Sequence, residues 1–175
     1  YLDTRTGQLN DLRGFADSSD VSASIMDKMH SKSRNALRKS LKSGFEVESI
    51  TLESGSEILH RLHSENMKTI GGLAKSHEFF SNISHHFNHG TEYELLVARK
   101  GGDVAAALLL FYGRHVAEYF TPVIDGRYRS DQPLSALIHA GMIQSVTKGM
   151  AWWNWGGTWK SQDGVYRFKS RWGAL

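Results

Sequence analysis

Between Lys28 and Lys42 the chain carries Lys28, Lys32, Arg34, Arg38, Lys39 and Lys42 with no acidic residue among them. Ammonium and guanidinium groups at that density can hold the oxygens of an RNA backbone, a nucleotide diphosphate or a lipid-linked pyrophosphate. The plainer alternative is a solvated helix face, or ion pairs with acidic strand residues such as Glu46 and Glu48. A second cluster, His85, His86 and His89, sets two imidazoles one helical turn apart and so invites a metal. A zincin would need Glu where His86 stands, and no third ligand has matching spacing, so a surface histidine cluster is expected. Trp152, Trp153, Trp155 and Trp159, with Trp172 further on, offer either stacking surfaces or core mass. Strand parity puts Trp152 and Trp155 on different faces, and Trp159, behind Gly156-Gly157, is the expected exposed member. For a general base, Glu118, Asp125, Tyr119 and Tyr166 all have suitable chemistry, and parity singles out none of them.

These residues sit in 175 residues, one domain at roughly 100–200 residues per domain. A chain 40% hydrophobic and 22% charged, with 17 Gly and 2 Pro, is neither disordered nor of low complexity. The net charge of +3 and a pI near 9.2 favour an anionic ligand. With no Cys, disulfide frameworks, thiolate zinc sites and cysteine nucleophiles are excluded, and a reducing cytoplasmic location is expected. The longest apolar run, Val104 to Tyr112, is about half the roughly 20 residues of a membrane-spanning helix. No transmembrane segment or signal peptide is expected, and the opening Tyr1 suggests a trimmed or partial chain.

The elements that must position this chemistry follow from periodicity. At about 100° per residue the six cations fall within an arc of about 160°, opposite Met26, Met29, Ala36, Leu37 and Leu41. That pattern predicts a basic amphipathic helix over residues 26–43, closed by Gly44 and followed by a strand from Phe45 to Leu52. A second helix is expected from Ser56 to Gly71-Gly72 and a third from Ser76 to Asn88. Tyr93 to Ala98, Val104 to Tyr112 and Val116 to Val123, separated by glycine turns, predict an antiparallel three-stranded meander. Pro133 starts a helix to Lys148, Trp152 to Trp155 reads as a strand stopped by Gly156-Gly157, and Val165 to Lys169 as a last helical turn. The fold class is therefore α/β.

Two stretches carry a family resemblance. Lys32-Ser33-Arg34-Asn35-Ala36-Leu37-Arg38-Lys39-Ser40-Leu41-Lys42-Ser43-Gly44 resembles the K-x-R-x-x-I-x-K-A-x-K-x-G opening of Fem-like acyltransferases, a branch of the GNAT superfamily. Gly164-Val165-Tyr166-Arg167-Phe168-Lys169-Ser170-Arg171-Trp172-Gly173 is similar to their closing G-L-Y-x-F-K-x-x-[FW]-G signature, and the likeness covers roughly Lys28 to Ala174. The resemblance implies a GNAT-like fold, a mixed and mainly antiparallel central sheet flanked by helices. It also implies N-acyl transfer, in which an amine attacks an activated acyl carbonyl. Fem proteins take the acyl group from aminoacyl-tRNA and extend a peptidoglycan precursor, and related single-domain enzymes use acyl-CoA on sugar amines. Typical Fem proteins have two such lobes, so residues 1–175 are expected to be a single lobe, either one half of a larger two-lobed protein or a lobe on its own.

Lys169 matches the family lysine at the reacting centre, where a cation in a water-poor cleft would stabilise the oxyanion of the tetrahedral intermediate; the alternative is a helix-capping or solvent-facing lysine. Tyr166 and Phe168, within the same closing motif, are substrate-binding candidates, and Lys32, Arg34, Arg38 and Lys39 are phosphate-binding candidates by their own charge chemistry. Acetyl-CoA-binding members place a Gly-rich loop at a helix N-terminus, where backbone N–H groups hold the pyrophosphate. The corresponding Arg127-Tyr128-Arg129-Ser130-Asp131-Gln132-Pro133-Leu134 has no glycine and carries Asp131, which disfavours acetyl-CoA. The expectation is a cytoplasmic Fem-like N-acyltransferase of cell-wall biogenesis, with no tightly bound cofactor or metal and with aminoacyl-tRNA or acyl-CoA as donor. Its rivals are a CoA-dependent N-acetyltransferase acting on polysaccharides or metabolites and a non-catalytic RNA- or anion-binding lobe.

Overall fold

The computed structural model describes residues 4–175, and Tyr1 lies outside them. The elements run β1 (Arg5–Asp11), α1 (Val21–Lys28), α2 (Ser31–Lys42), β2 (Glu46–Ile50), α3 (Leu52–Ile70), α4 (His77–Ser81), β3 (Tyr93–Lys100), β4 (Asp103–Tyr112), β5 (Val116–Ile124), α5 (Pro133–Thr147), β6 (Trp152–Trp159) and α6 (Asp163–Ser170). Six strands form one sheet in the order β1-β6-β5-β4-β3-β2, antiparallel throughout except for the β5–β6 pair. The expected α/β class, mixed sheet and meander are all present.

β3 and β4 read as nearly unbroken apolar runs because both faces of the sheet are covered. Leu96, Ala98, Leu108 and Leu110 pack on one side with Leu37, Leu137, Ile138 and Met142 of α2 and α5. Leu95, Val97, Ala107 and Leu109 pack on the other with Leu52, Leu59, Leu62 and Phe80 of α3 and α4. Gly55 lets α3 sit close on this second face, since a Cβ there would lie 2.5 Å from Leu95 Cδ2.

Several expected boundaries differ from those found, among them the start of α3, which opens at Leu52 and not at the expected Ser56. The basic helix over 26–43 is two helices, broken at Met29 and His30, whose backbones are extended. His30 N–H donates to Arg171 O at 2.8 Å, and the His30 ring caps α2 by accepting from Lys32 N. A tertiary hydrogen bond thus overrides the helical period, and Leu41, expected on the apolar side, is 54% exposed. The strand expected to reach Leu52 stops at Ile50, because Thr51 caps α3 and Leu52 opens that helix. The third helix ends at Ser81 and continues only as a 3-10 turn over Asn82–His85.

The last difference shapes the site. β6 does not stop at Gly156-Gly157 but runs on to Trp159, because β1 pairs with it across Gly7↔Gly157, Thr6↔Thr158 and Arg5↔Trp159. The register shifts between Gly7 and Leu9, and Gly156 takes φ +70°, so the glycines bend the strand instead of ending it. Leu9 and Leu175 exchange backbone hydrogen bonds at 2.9 and 3.2 Å, tying β1 to the segment behind α6.

Candidate active site

β5 and β6 are paired over only three positions, Val116↔Trp152, Ala117↔Trp153 and Glu118↔Asn154. Beyond them β5 stays on β4 as far as Ile124 and β6 stays on β1 as far as Trp159, so the sheet parts at Glu118 and Asn154. Strand termini that separate inside a sheet leave backbone groups and side chains free to face a ligand.

The polar groups of this parting form one chain. Asn154 Nδ2 donates to Glu118 Oε2 at 2.7 Å, and Asn154 Oδ1 accepts from Gly156 N at 2.9 Å. Lys169 Nζ donates to Thr158 Oγ1 at 2.7 Å and to Gly156 O at 3.3 Å. Lys169 is only 5% exposed and Thr158 1%, so this lysine does not face water. Burial depresses the Lys169 pKa below its usual value, and the Glu118 charge only partly offsets that. Burial likewise raises the Glu118 carboxyl, against the opposing effects of the Asn154 hydrogen bond and the Lys169 charge. A half-buried carboxylic acid and a buried lysine whose pKa values are drawn toward each other are suited to proton transfer.

α6 is held in place by polar contacts from β1. Gln8 Nε2 donates to Ser170 Oγ at 2.9 Å, Asn10 Nδ2 to Trp172 O at 2.9 Å, and Trp155 Nε1 to Asn10 Oδ1 at 2.5 Å. Phe168 packs between Trp155 and Trp172, at 6.1 and 6.4 Å, and so serves as a half-buried wedge behind Lys169. Tyr166, 44% exposed, lines a 290 Å³ cavity with His30, Arg167, Ser170 and Arg171.

The basic residues of α2 are divided. Lys32 is exposed, whereas the Arg34 guanidinium turns back onto Met29 O at 3.0 Å and closes the break before the helix. Toward the other end, Arg38, Lys39 and Lys42 line an open 440 Å³ groove with Asn35 and Ser43. None of these three cations has an ion pair within 4.0 Å among the described residues; Glu48 pairs with Arg99 instead. The glycine-free loop before α5 is different, because its Arg127 is taken up internally while Arg129 stands exposed. Arg127 binds Asp125 at 2.8 Å and Asp103 at 3.2 Å, and Asp131 lies 3.6 Å from Lys100.

Other weighed residues are engaged elsewhere than in the chain of polar groups at the fork. The Asp125 carboxyl, held below its usual value mainly by its hydrogen bond with Arg127, caps that loop. Tyr119 is buried among Trp153 and Trp155, where desolvation pushes its phenol far up. His85 and His86 are exposed, and His89 bonds Ser49. Trp153, Trp155 and Trp172 are core, while Trp159 is 42% exposed under the Arg5 guanidinium. Asn154 and Thr158 escaped the sequence reading. The one available signal was a lone amide inside the otherwise aromatic Trp152-Trp153-Asn154-Trp155.

The fork thus brings a buried lysine and a half-buried carboxylate to the point where the parallel strands of a mixed sheet part. The chain belongs to the acetyltransferase (GNAT) domain family, whose profile matches residues 28–170. Its fold is similar to that of the crystal structure of FemX, at a TM-score of 0.87 and 14% identity over all of this chain and 60% of that one. It is also similar to the C-terminal domain of a putative lysylphosphatidylglycerol synthetase from Agrobacterium fabrum (TM-score 0.66, 13% identity, all of this chain and 57% of that one). A GCN5-related N-acetyltransferase from Kribbella flavida aligns at TM-score 0.55 and 13% identity, over 98% of this chain and 54% of that one. The chain thus spans little more than half the length of these structures. No curated protein matches its sequence. Among the described residues no helix is long and apolar enough to cross a membrane.

Proposed function

We propose that the protein is an N-acyltransferase of Fem-like type, moving an aminoacyl group from aminoacyl-tRNA to an amine of a peptidoglycan-precursor-like acceptor in the cytoplasm. The observation that carries this reading is the buried Lys169 ammonium, bonded to Thr158 and Gly156 O, beside the point where β5 and β6 part at Glu118. The acceptor enters as an ammonium and gives a proton to Glu118, leaving a free lone pair. The amine nitrogen attacks the ester carbonyl, a C–N bond forms, and the carbonyl oxygen becomes an oxyanion beside Lys169. Collapse breaks the C–O bond to the ribose; the departing oxygen takes the proton from Glu118, and the amide nitrogen releases its second proton to water. Thr158 and Gly156 O act as positioning groups that fix the Lys169 ammonium, and Asn154 fixes Glu118.

The donor choice rests on charge. The stretch Arg127 to Leu134 before α5 has no glycine, its Arg127 is paired with Asp103 and Asp125, and its Asp131 adds a negative charge, all of which disfavour a pyrophosphate there. The unpaired groove of Arg38, Lys39 and Lys42, together with Lys32, suits a ribose-phosphate backbone. Arg167, Arg171 and the Tyr166 ring at the other end of α2 suit the donor's terminal nucleotide. A second lobe, in the same protein or another, would supply the remaining acceptor contacts. The family match favours a second reading, an acyl-CoA donor.

The test is single-turnover transfer to an amine acceptor from a charged acceptor-stem RNA and from acetyl-CoA, with wild type, Lys169→Ala and Arg38→Ala/Lys39→Ala. Transfer from RNA that Lys169→Ala abolishes and the double variant weakens is expected. Transfer from acetyl-CoA alone overturns the donor assignment. RNA binding without transfer, indifferent to Lys169→Ala, would make the lobe a binding module.

A further inference from the structure

On the α3 and α4 side of the sheet, four phenylalanine rings form a continuous row beside Glu118. Phe79 stacks on Phe120 at 6.3 Å and 20°, Phe120 meets Phe111 edge-on at 5.1 Å, and Phe111 meets Phe87 at 5.2 Å. Phe79 and Phe87 are 41% and 42% exposed. Phe111 is the cross-strand partner of Glu118, so their side chains share a face, and the register of β4 and β5 skips Phe120, giving it the extra place of a bulge. Large apolar rings left open next to a reacting carboxylate are costly unless something covers them.

At one end of the row the Lys75 ammonium lies 5.6 Å from the Phe79 ring and 5.5 Å from Phe120. Its place is fixed from behind. Lys75 N–H donates to Nε2 of the buried His63 at 3.1 Å, and Ser76 Oγ accepts from Phe79 N at 3.2 Å, capping α4. Phe80, fully buried, anchors the same helix and turns Phe79 outward. Lys75 has no carboxylate partner within 4.0 Å among the described residues. Along this face the Glu118 carboxylate therefore lies beside Phe111, and Phe120 and Phe79 lead from there to the Lys75 cation.

Resting on the acyl-transfer reading, we infer that this row is the acceptor subsite and that it selects an amphipathic amine. Such an acceptor has its amino group at Glu118, an apolar alkyl or aryl body on Phe111, Phe120 and Phe79, and a carboxylate at Lys75. The rings offer no hydrogen-bond partners, which sets an apolar body above a hydroxyl-rich one. The two ends recognise opposite charges, so an amine lacking the distal carboxylate binds more weakly.

The probes are 8-aminooctanoate, octylamine and octanoate, titrated by ligand-observed NMR without donor. Wild type is expected to bind 8-aminooctanoate about tenfold more tightly than either singly charged analogue. Phe79→Ala, at an exposed ring, should weaken 8-aminooctanoate and octylamine alike, and Lys75→Met should erase the preference of 8-aminooctanoate over octylamine while leaving octylamine unchanged. Equal affinities for all three probes, or binding indifferent to both variants, overturns the proposal. So does a concentration-dependent dimer that Phe79→Ala dissolves, since a second copy would then cover the row. Intact transfer with unchanged acceptor KM in Lys75→Met sinks the subsite alone; absent transfer with the binding pattern retained sinks the acyl-transfer reading alone.

Discussion

The cation on α6 and the cations on α2 are chemically alike and physically opposed. Lys169 is 5% exposed, held by two hydrogen bonds, and shifted down by desolvation. Arg38, Lys39 and Lys42 stand in water around an open groove with no acidic partner among the described residues. A charge in a water-poor fork acts strongly on one developing charge at short range, whereas charges in water act weakly and together, and salt screens them. Under the proposed function, burial, more than residue type, separates the lysine assigned to chemistry from the cations assigned to gathering substrate.

The sharpest way to break that contrast is to remove the buried charge. Lys169→Met should lower single-turnover kcat by about 10² to 10³-fold with little change in donor KM, and a loss appearing in KM instead would make it another binding cation. Next in size, Glu118→Gln should cost about 10²-fold. The pH profile of kcat/KM should show an acid limb above the usual carboxyl value of 4.5, where Glu118 must lose its proton, and an alkaline limb below 10.5, where Lys169 loses its own. Glu118→Gln should remove the acid limb while keeping the alkaline one. Arg38→Ala/Lys39→Ala should raise donor KM about tenfold, leave kcat alone, and flatten the log–log salt dependence of RNA binding by about 1.5. The smallest effect concerns stability. Folding lowers the Lys169 pKa, so the protonated form is penalised, and stability should rise with pH from that lowered pKa up to 10.5. Urea unfolding of Lys169→Met should lack that rise, and an equal slope in both proteins would mean the ammonium is well solvated.

What could be read in the sequence follows the same division between local and distant causes. The meander was legible because the apolar runs of β3 and β4 and their glycine turns are local signals. β1 was invisible, since Arg-Thr-Gly-Gln-Leu-Asn-Asp has no apolar alternation and becomes a strand only by pairing with β6. The same pairing carries β6 through two glycines that locally read as a stop. The break at His30 depends on Arg171, far along the chain. In the site, Lys169 was accessible through the motif around it, and Glu118 through its chemistry but not its orientation. Asn154 and Thr158 gain their roles only where two strands diverge, which no local pattern encodes. Of the substrate candidates, Arg34 and Phe168 have the right chemical type, yet their contacts are spent on Met29 O and on two tryptophans.

The pairing of β1 with β6 also sets a timetable. Everything from Leu12 to Ala151 is synthesised between the two strands, so on the ribosome β1 must wait for nearly the whole domain before it finds its partner. Contacts so distant in sequence close late in folding. The meander can collapse early around its own local turns, but Gln8 and Asn10 cannot seat α6, nor Lys169 reach Thr158, until β6 has emerged and been joined. The fork is consequently among the last features the nascent chain acquires, and a nascent domain stalled short of Trp152 would hold folded structure without it.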